Sequence, residues 1–234
     1  MEIVSVKIEN MGDYGKSSEG IVYSVHVIIK DIEVRAADMV SNISNTSWIS
    51  KLDAVARVLY SARSERTITK LVNYIINRVE NTITDEFGEF LVSDSAQSVL
   101  VGELDHEKVP LAEFLKEKDS GNPGFDFHTE THTNLVAFGE AKYSGKGNPH
   151  GKSLSQIVRF IDLKKDDAEL VDLRNFVSES AMDNSLHGRR AYVAAFSVNH
   201  DNPEIIIRNS LKSKFIDDLL VFPEVYVIGV EVDA

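Results

Sequence analysis

Apolar and polar positions alternate along residues 21 to 29. Ile21, Tyr23, Val25, Val27 and Ile29 share one side, while Ser24 and His26 interrupt the other. This predicts a strand with one apolar and one partly polar face, joined with residues 3 to 8 as a hairpin. Residues 50 to 62 and 66 to 80 read as two helices, the second marked by Ile68, Leu71, Val72 and Ile75. Ile83, Phe87, Phe90 and Leu91 predict a further helix over 83 to 101, with Glu86, Glu89 and Ser93 on a neighbouring face. A short helix is expected over 110 to 118, with Pro110 near its first turn, and a loop over 119 to 124.

The pattern then turns to strands. Residues 124 to 130 and 134 to 142 predict a β-hairpin around the polar stretch Thr131 to Thr133. SGKGNPHG, 144 to 151, reads as a flexible Gly-rich loop. The helix that follows from Lys152 carries Leu154, Ile157, Val158 and Ile161 on one side, and Lys152, Gln156 and Arg159 on the other. A less regular helical stretch, a strand over 190 to 198, a helix over 208 to 220 and a strand over 224 to 232 complete the chain. The expected fold is α/β: a mixed central sheet flanked by helices, over residues 82–234, preceded by an N-terminal α+β extension, residues 1–81.

Composition narrows the chemistry. The chain has 234 residues, 43% of them hydrophobic, enough for a sizeable core, and no cysteine, which excludes disulfides, thiolate zinc sites and cysteine nucleophiles. MEIVSVKIEN has no basic segment followed by an apolar one, and no apolar run approaches the roughly 20 residues of a bilayer span. A cytoplasmic protein without membrane contact is expected. The net charge of −12 counts against coating DNA by charge alone, yet residues 142 to 165 hold six basic side chains against Asp162. That local +6 − 1 = +5 leaves −17 for the rest. By itself the strip fits a solvated helix face better than an anion site.

The candidate chemistry lies in the hairpin. Asp126 stands in GFDF, where a strand would send both phenyl rings to one face and the carboxylate to the other. Fourteen residues on, Glu140 and Lys142 in FGEAKYS are two apart and share a face. Two carboxylates offer hard oxygen donors suited to Mg²⁺ or Mn²⁺, and a lysine beside them can orient water or offset developing charge. A Glu-x-Lys pair on a strand is more often a plain ion pair. Here the strand is otherwise apolar (Leu135 to Phe138), and an isolated Asp precedes it.

GFDF and GEAK resemble the two acidic motifs of the PD-(D/E)XK nuclease superfamily, over roughly residues 82 to 165, although Pro123 lies three residues before Asp126 instead of adjoining it. The resemblance implies a restriction-endonuclease-like core that cuts DNA. It implies Asp126 and Glu140 as metal ligands and Lys142 as the catalytic lysine. Gln156 matches a glutamine that some members place near the site. Glu89, with Glu86 as competitor, matches the glutamate on the preceding helix and would be a further metal ligand. EFGEFLV, GFDF and FGEAKYS are also similar to the nuclease family of the Hachiman antiphage system, which pairs such a subunit with a helicase. On that basis Lys146, Lys152 and Arg159 would hold substrate phosphate. The alternative is a binding or scaffolding subunit whose nuclease-like core does not cut.

Other motifs point elsewhere. GKGNPHGKS lacks the first glycine of a phosphate loop, since Lys146 stands there. HTETH, 128 to 132, has the wrong spacing for a zinc protease and reads as solvated turn residues, with a minor site role left open for His128. Arg189 and Arg190 could touch phosphate or be strand-end charges. Trp48 reads as core.

Overall fold

A computed structural model describes residues 1–79, 83–110, 112 and 124–232. Seven strands form one mixed sheet in the order β1-β2-β7-β6-β5-β4-β3. They are β1 (Glu2–Glu9), β2 (Ile21–Ile29), β3 (Glu107–Lys108), β4 (Phe127–Glu130), β5 (Val136–Lys142), β6 (Ala191–Val198) and β7 (Glu224–Val232). β1/β2, β3/β4 and β4/β5 are antiparallel, while β2/β7, β7/β6 and β6/β5 are parallel. Every residue of β6 is buried, as expected of a parallel strand covered on both faces.

The stretch read as an N-terminal extension supplies two strands of this sheet. β2 runs beside β7 in unbroken register from Ile21 opposite Glu224 to Ile29 opposite Val232. Its apolar side, Tyr23 to Ile29, joins the same buried cluster as Ala137 and Val193 of the central strands.

Helices cover both faces. On one, α3 (Asp85–Glu103) lays Leu91, Val92 and Leu100 against Ala137, Ala141 and Val193. On the other, α4 (His150–Asp162) lays Leu154, Ile157 and Phe160 against Phe138 and Tyr192. α5 (Lys165–Leu173) and α6 (Glu179–Leu186) resolve the less regular stretch, and both contribute to the α4-side core. Fully burying one such Leu or Phe contributes roughly 1.5–3 kcal/mol, so the two faces supply the bulk of the stabilisation.

Some elements differ from their expected bounds. The two helices expected over 50 to 62 and 66 to 80 are one, α2 (Ala54–Val79), because nothing between Ala62 and Glu65 breaks it. Ser64 bonds back to the Tyr60 carbonyl at 2.5 Å and the helix runs on. Ala56 and Tyr60 of its first half pack in the α4-side core, and Ile75 of its second half in the α3-side core. A helix that the periodicity does not announce, α1 (Ile32–Ser44), begins at Asp31, whose side chain accepts from Val34 N–H at 2.9 Å. Arg35 is buried on it and paired with Asp94 of α3, which breaks the apolar stripe. The helix expected over 208 to 220 starts earlier, at Pro203, and divides into α7 (Pro203–Lys212) and α8 (Lys214–Asp217) at Ser213, which caps the second piece. The helix expected over 110 to 118 lies outside the described residues apart from 110 and 112. No helix among the described residues is long and apolar enough to cross a membrane.

Candidate active site

The site forms where β5 ends. β4 starts only at Phe127, so Asp126 sits in a bend ahead of it, with its N–H bonded to the Gly139 carbonyl at 2.9 Å. Its carboxylate then takes the place of a ladder partner: Oδ2 accepts from Ala141 N–H at 2.9 Å. The expectation that Phe125 and Phe127 share a face is incorrect. Phe125 packs on Phe138 and Phe160 on the α4 side, at ring distances of 5.2 and 5.1 Å, while Phe127 lies over Gly139 on the α3 side. The bend at Asp126 breaks the two-residue alternation.

Glu140 is fully buried. Ser153, in the first turn of α4, donates to its backbone carbonyl at 2.9 Å and ties that helix to the strand. Lys142 Nζ lies 2.6 Å from Glu140 Oε1, 3.5 Å from Glu89 Oε1 and 3.0 Å from the Ala141 carbonyl oxygen. Lys142 meets Oε1 as a close but poorly aligned ion pair, and Oε2 has no hydrogen-bond partner among the described residues. Burial, then the neighbouring Asp126, holds the Glu140 carboxyl well above the usual range, and Lys142 offsets only part of this. For Lys142 burial acts to lower the pKa, but Glu140, Asp126 and Glu89 outweigh it and hold the ammonium above its ordinary value. It therefore stays protonated.

Glu89 reaches this group because α3 comes close to the end of β5. Gly88 faces the Tyr143 ring, and a Cβ there would stand 2.1 Å from it. Glycine inside an otherwise helical pattern was the available signal for that approach. Glu89, rather than Glu86, pairs with Lys142.

The other expected residues divide. Lys146 is exposed in the loop after β5, a loop fixed by Asn199, which donates to the Gly145 carbonyl at 2.8 Å. Lys152 is exposed beside Ser153, and Arg159 is exposed about 10 Å farther along α4. Gln156 is half-buried on α4, and among the described residues it makes no hydrogen bond to Asp126, Glu140 or Lys142. Within HTETH only His132 is exposed: His128, Thr129, Glu130 and Thr131 are buried, contrary to the solvated reading. His128 pairs with Glu169 of α5 at 2.7 Å instead of entering the site. Arg190 is buried between Asp166 and Asp167, so it is a structural cation, and Trp48 packs edge-on against Tyr60 and Phe176.

A cleft of ≈420 Å³ opens from Asp126 and Glu89 between α3 and the second half of α2. Nothing in the sequence of α2 signals this placement.

The donor set can be weighed against a divalent cation. Among the described residues no group of three or more His, Asp or Glu side chains is placed to hold a metal. Mg²⁺, however, takes one or two protein carboxylates and keeps several waters. Asp126 and Glu140, the latter with undirected buried oxygens, fit that smaller requirement. The structure gives Glu89 a lysine partner and does not complete a third ligand.

No protein-family model matches the chain, and no curated protein matches it either.

Proposed function

We propose that this chain is a metal-dependent nuclease that hydrolyses DNA phosphodiester bonds at Asp126, Glu140 and Lys142. The observation that supports this most is the meeting of a buried, undirected carboxylate with Asp126, Glu89 and a protonated lysine at the carboxyl end of a parallel strand. In open α/β sheets that end is where ligands bind. A structural ion pair has no need of a second and third carboxylate around a fully buried one, an arrangement that costs stability.

Asp126 and Glu140 would hold Mg²⁺ or Mn²⁺, which when bound acidifies water and draws charge from the phosphate. The chain's own groups then have limited roles. Asp126 is held in place by the Ala141 N–H. Lys142, being protonated, donates rather than accepts: it orients the attacking water or the phosphate oxygen and offsets the negative charge that grows as the P–O ester bond breaks. Glu89 steadies Lys142 from the opposite helix. Lys146, in the loop after β5, and Lys152, next to the Ser153 that bonds to the Glu140 backbone, would contact flanking phosphates, with Arg159 farther out. Following the resemblance, we propose a helicase subunit as the partner that brings DNA, in an antiphage complex.

The second reading is a nucleic-acid-binding or scaffolding subunit that does not cut. It is favoured by the lack of a three-ligand metal group among the described residues. Supercoiled plasmid with Mg²⁺ or Mn²⁺ separates the two. The nuclease reading expects nicking or linearisation by the wild type, with a loss of about 10³-fold or more in Glu140→Ala/Lys142→Ala. Uncut plasmid with both metals, alone and with co-purifying partners, would leave the second reading.

A further inference from the structure

We infer that the cleft between α2 and α3 seats one unpaired strand of nucleic acid, held by Lys70, Asn73 and Asn77. The inference rests on the nuclease reading for the direction in which the strand runs, toward the carboxylates.

The two walls differ in kind. The α3 wall is acidic, with Glu86 and Glu89, and Asp126 adjoins it. The α2 wall contributes Lys70, Asn73 and Asn77, spaced i, i+3 and i+7, so they form one stripe along the helix. All three are exposed, and no acid of α2 lines the cleft. Lys70 and Asn73 make no hydrogen bond or ion pair among the described residues, so their donors are available. The amide and ammonium donors of the α2 wall suit phosphate oxygens, so the backbone of the strand would lie along α2, away from the acidic wall. Phe90 of α3 adds an apolar face between the two walls, of the kind on which a base can lie.

Size and the apolar face decide between one strand and two. The space of ≈420 Å³ sits near the lower end of ordinary ligand pockets, about 300–1,000 Å³, and suits a nucleotide or two. A duplex keeps its bases paired and stacked inside and cannot lay one on Phe90, whereas an unpaired strand can. None of Lys146, Lys152 and Arg159 lines this cleft, so within it the strand depends on α2, and those side chains would meet phosphates beyond it.

Fluorescence anisotropy on the full chain tests this. The probes are a fluorescein-labelled 12-nucleotide DNA strand, its RNA counterpart and the matching DNA duplex, with Ca²⁺ as a hard cation for the same oxygen donors. We expect a single strand, DNA or RNA, to bind at least 10-fold tighter than the duplex. Lys70→Ala/Asn73→Ala should weaken that binding by 10-fold or more while leaving circular dichroism unchanged. Lys70→Ala alone should lower the salt slope by about 0.7. The inference is overturned if the wild type binds no strand, if the duplex binds as well as the single strand, or if the double variant stays within 2-fold. Lys70-dependent strand binding by a chain that cuts nothing with Mg²⁺ or Mn²⁺ would remove the nuclease reading and leave the ligand of the cleft in place.

Discussion

Where β5, β6 and β7 begin, Glu130, Asp166 and Glu224 are buried and each is met by donors. Ser178 gives Glu130 its N–H at 2.7 Å and its hydroxyl at 2.5 Å. Arg190 and the Tyr192 hydroxyl meet Asp166, and Thr133 and Tyr226 hydroxyls meet the two oxygens of Glu224 at 2.6 and 2.5 Å. Where β5 ends, Glu140 is buried at least as deeply, yet among the described residues it has one poorly aligned ion pair, two nearby carboxylates and no donor to its second oxygen. The same sheet satisfies its carboxylates at one end and leaves one frustrated at the other. A buried charge without directed donors is costly in a structural role and useful in a binding one, because a ligand supplies what is missing. That difference separates architecture from chemistry here more clearly than either end does alone.

The contrast can be broken most forcefully at the satisfied end. Arg190→Ala leaves Asp166 buried without its cation, which should cost about 3–5 kcal/mol in urea unfolding while any cutting per folded molecule stays unchanged. A cost below about 1 kcal/mol would mean that this end is not held by its ion pair.

A second test uses pH. His106 is buried between the Thr129 and Tyr226 hydroxyls, and burial, with His132 nearby, pushes its pKa down to about 4. The folded state therefore resists its protonation. The stability it confers is complete above the ordinary value of 6.5 and is lost as pH falls toward 4, on the order of 3 kcal/mol. His106→Gln should flatten the stability curve over that window; an equally steep fall in the variant would assign the acid sensitivity elsewhere.

The smallest effect belongs to the frustrated end and has the opposite sign. Because the Glu140 carboxyl is held above its ordinary value, its contribution is complete below about 4.5 and lost as pH rises through the raised value. Without metal, Glu140→Gln should melt a few degrees higher than the wild type near pH 8, about 1 kcal/mol corresponding to about 2–4 °C at this size, with the gain vanishing in acid. A variant that melts lower at pH 8 would show Glu140 to be satisfied after all.

Much of this was open to sequence reasoning, for identifiable reasons. The strands β2, β5, β6 and β7 announce themselves by alternation or by unbroken apolar runs, and Glu140 and Lys142 inherit a common face from strand geometry alone. Asp126 was located by its motif but not its mechanics, since the bend that separates Phe125 from Phe127 has no period to read. α1 was obscured by the buried Arg35, whose partner Asp94 lies 59 residues away. The buried state of His128 depends on Glu169, 41 residues on, and the α2 wall of the cleft on how a helix without cleft-specific residues crosses between layers. Long-range partnership was the part that local patterns could not carry.

The position of β7 bears on how the chain reaches this state during synthesis. β7 lies between β2 and β6, with residues 21–29 on one side and 191–198 on the other. Until residues 224–232 leave the ribosome, the N-terminal hairpin and the strands that carry the site are separate fragments, each with an open edge. Such long-range parallel pairing forms slowly and exposes strand edges meanwhile. A nascent chain stalled before residue 224 would therefore hold Asp126, Glu140 and Lys142 without the strand that joins its halves, so assembly, and any cutting activity, should wait for that strand.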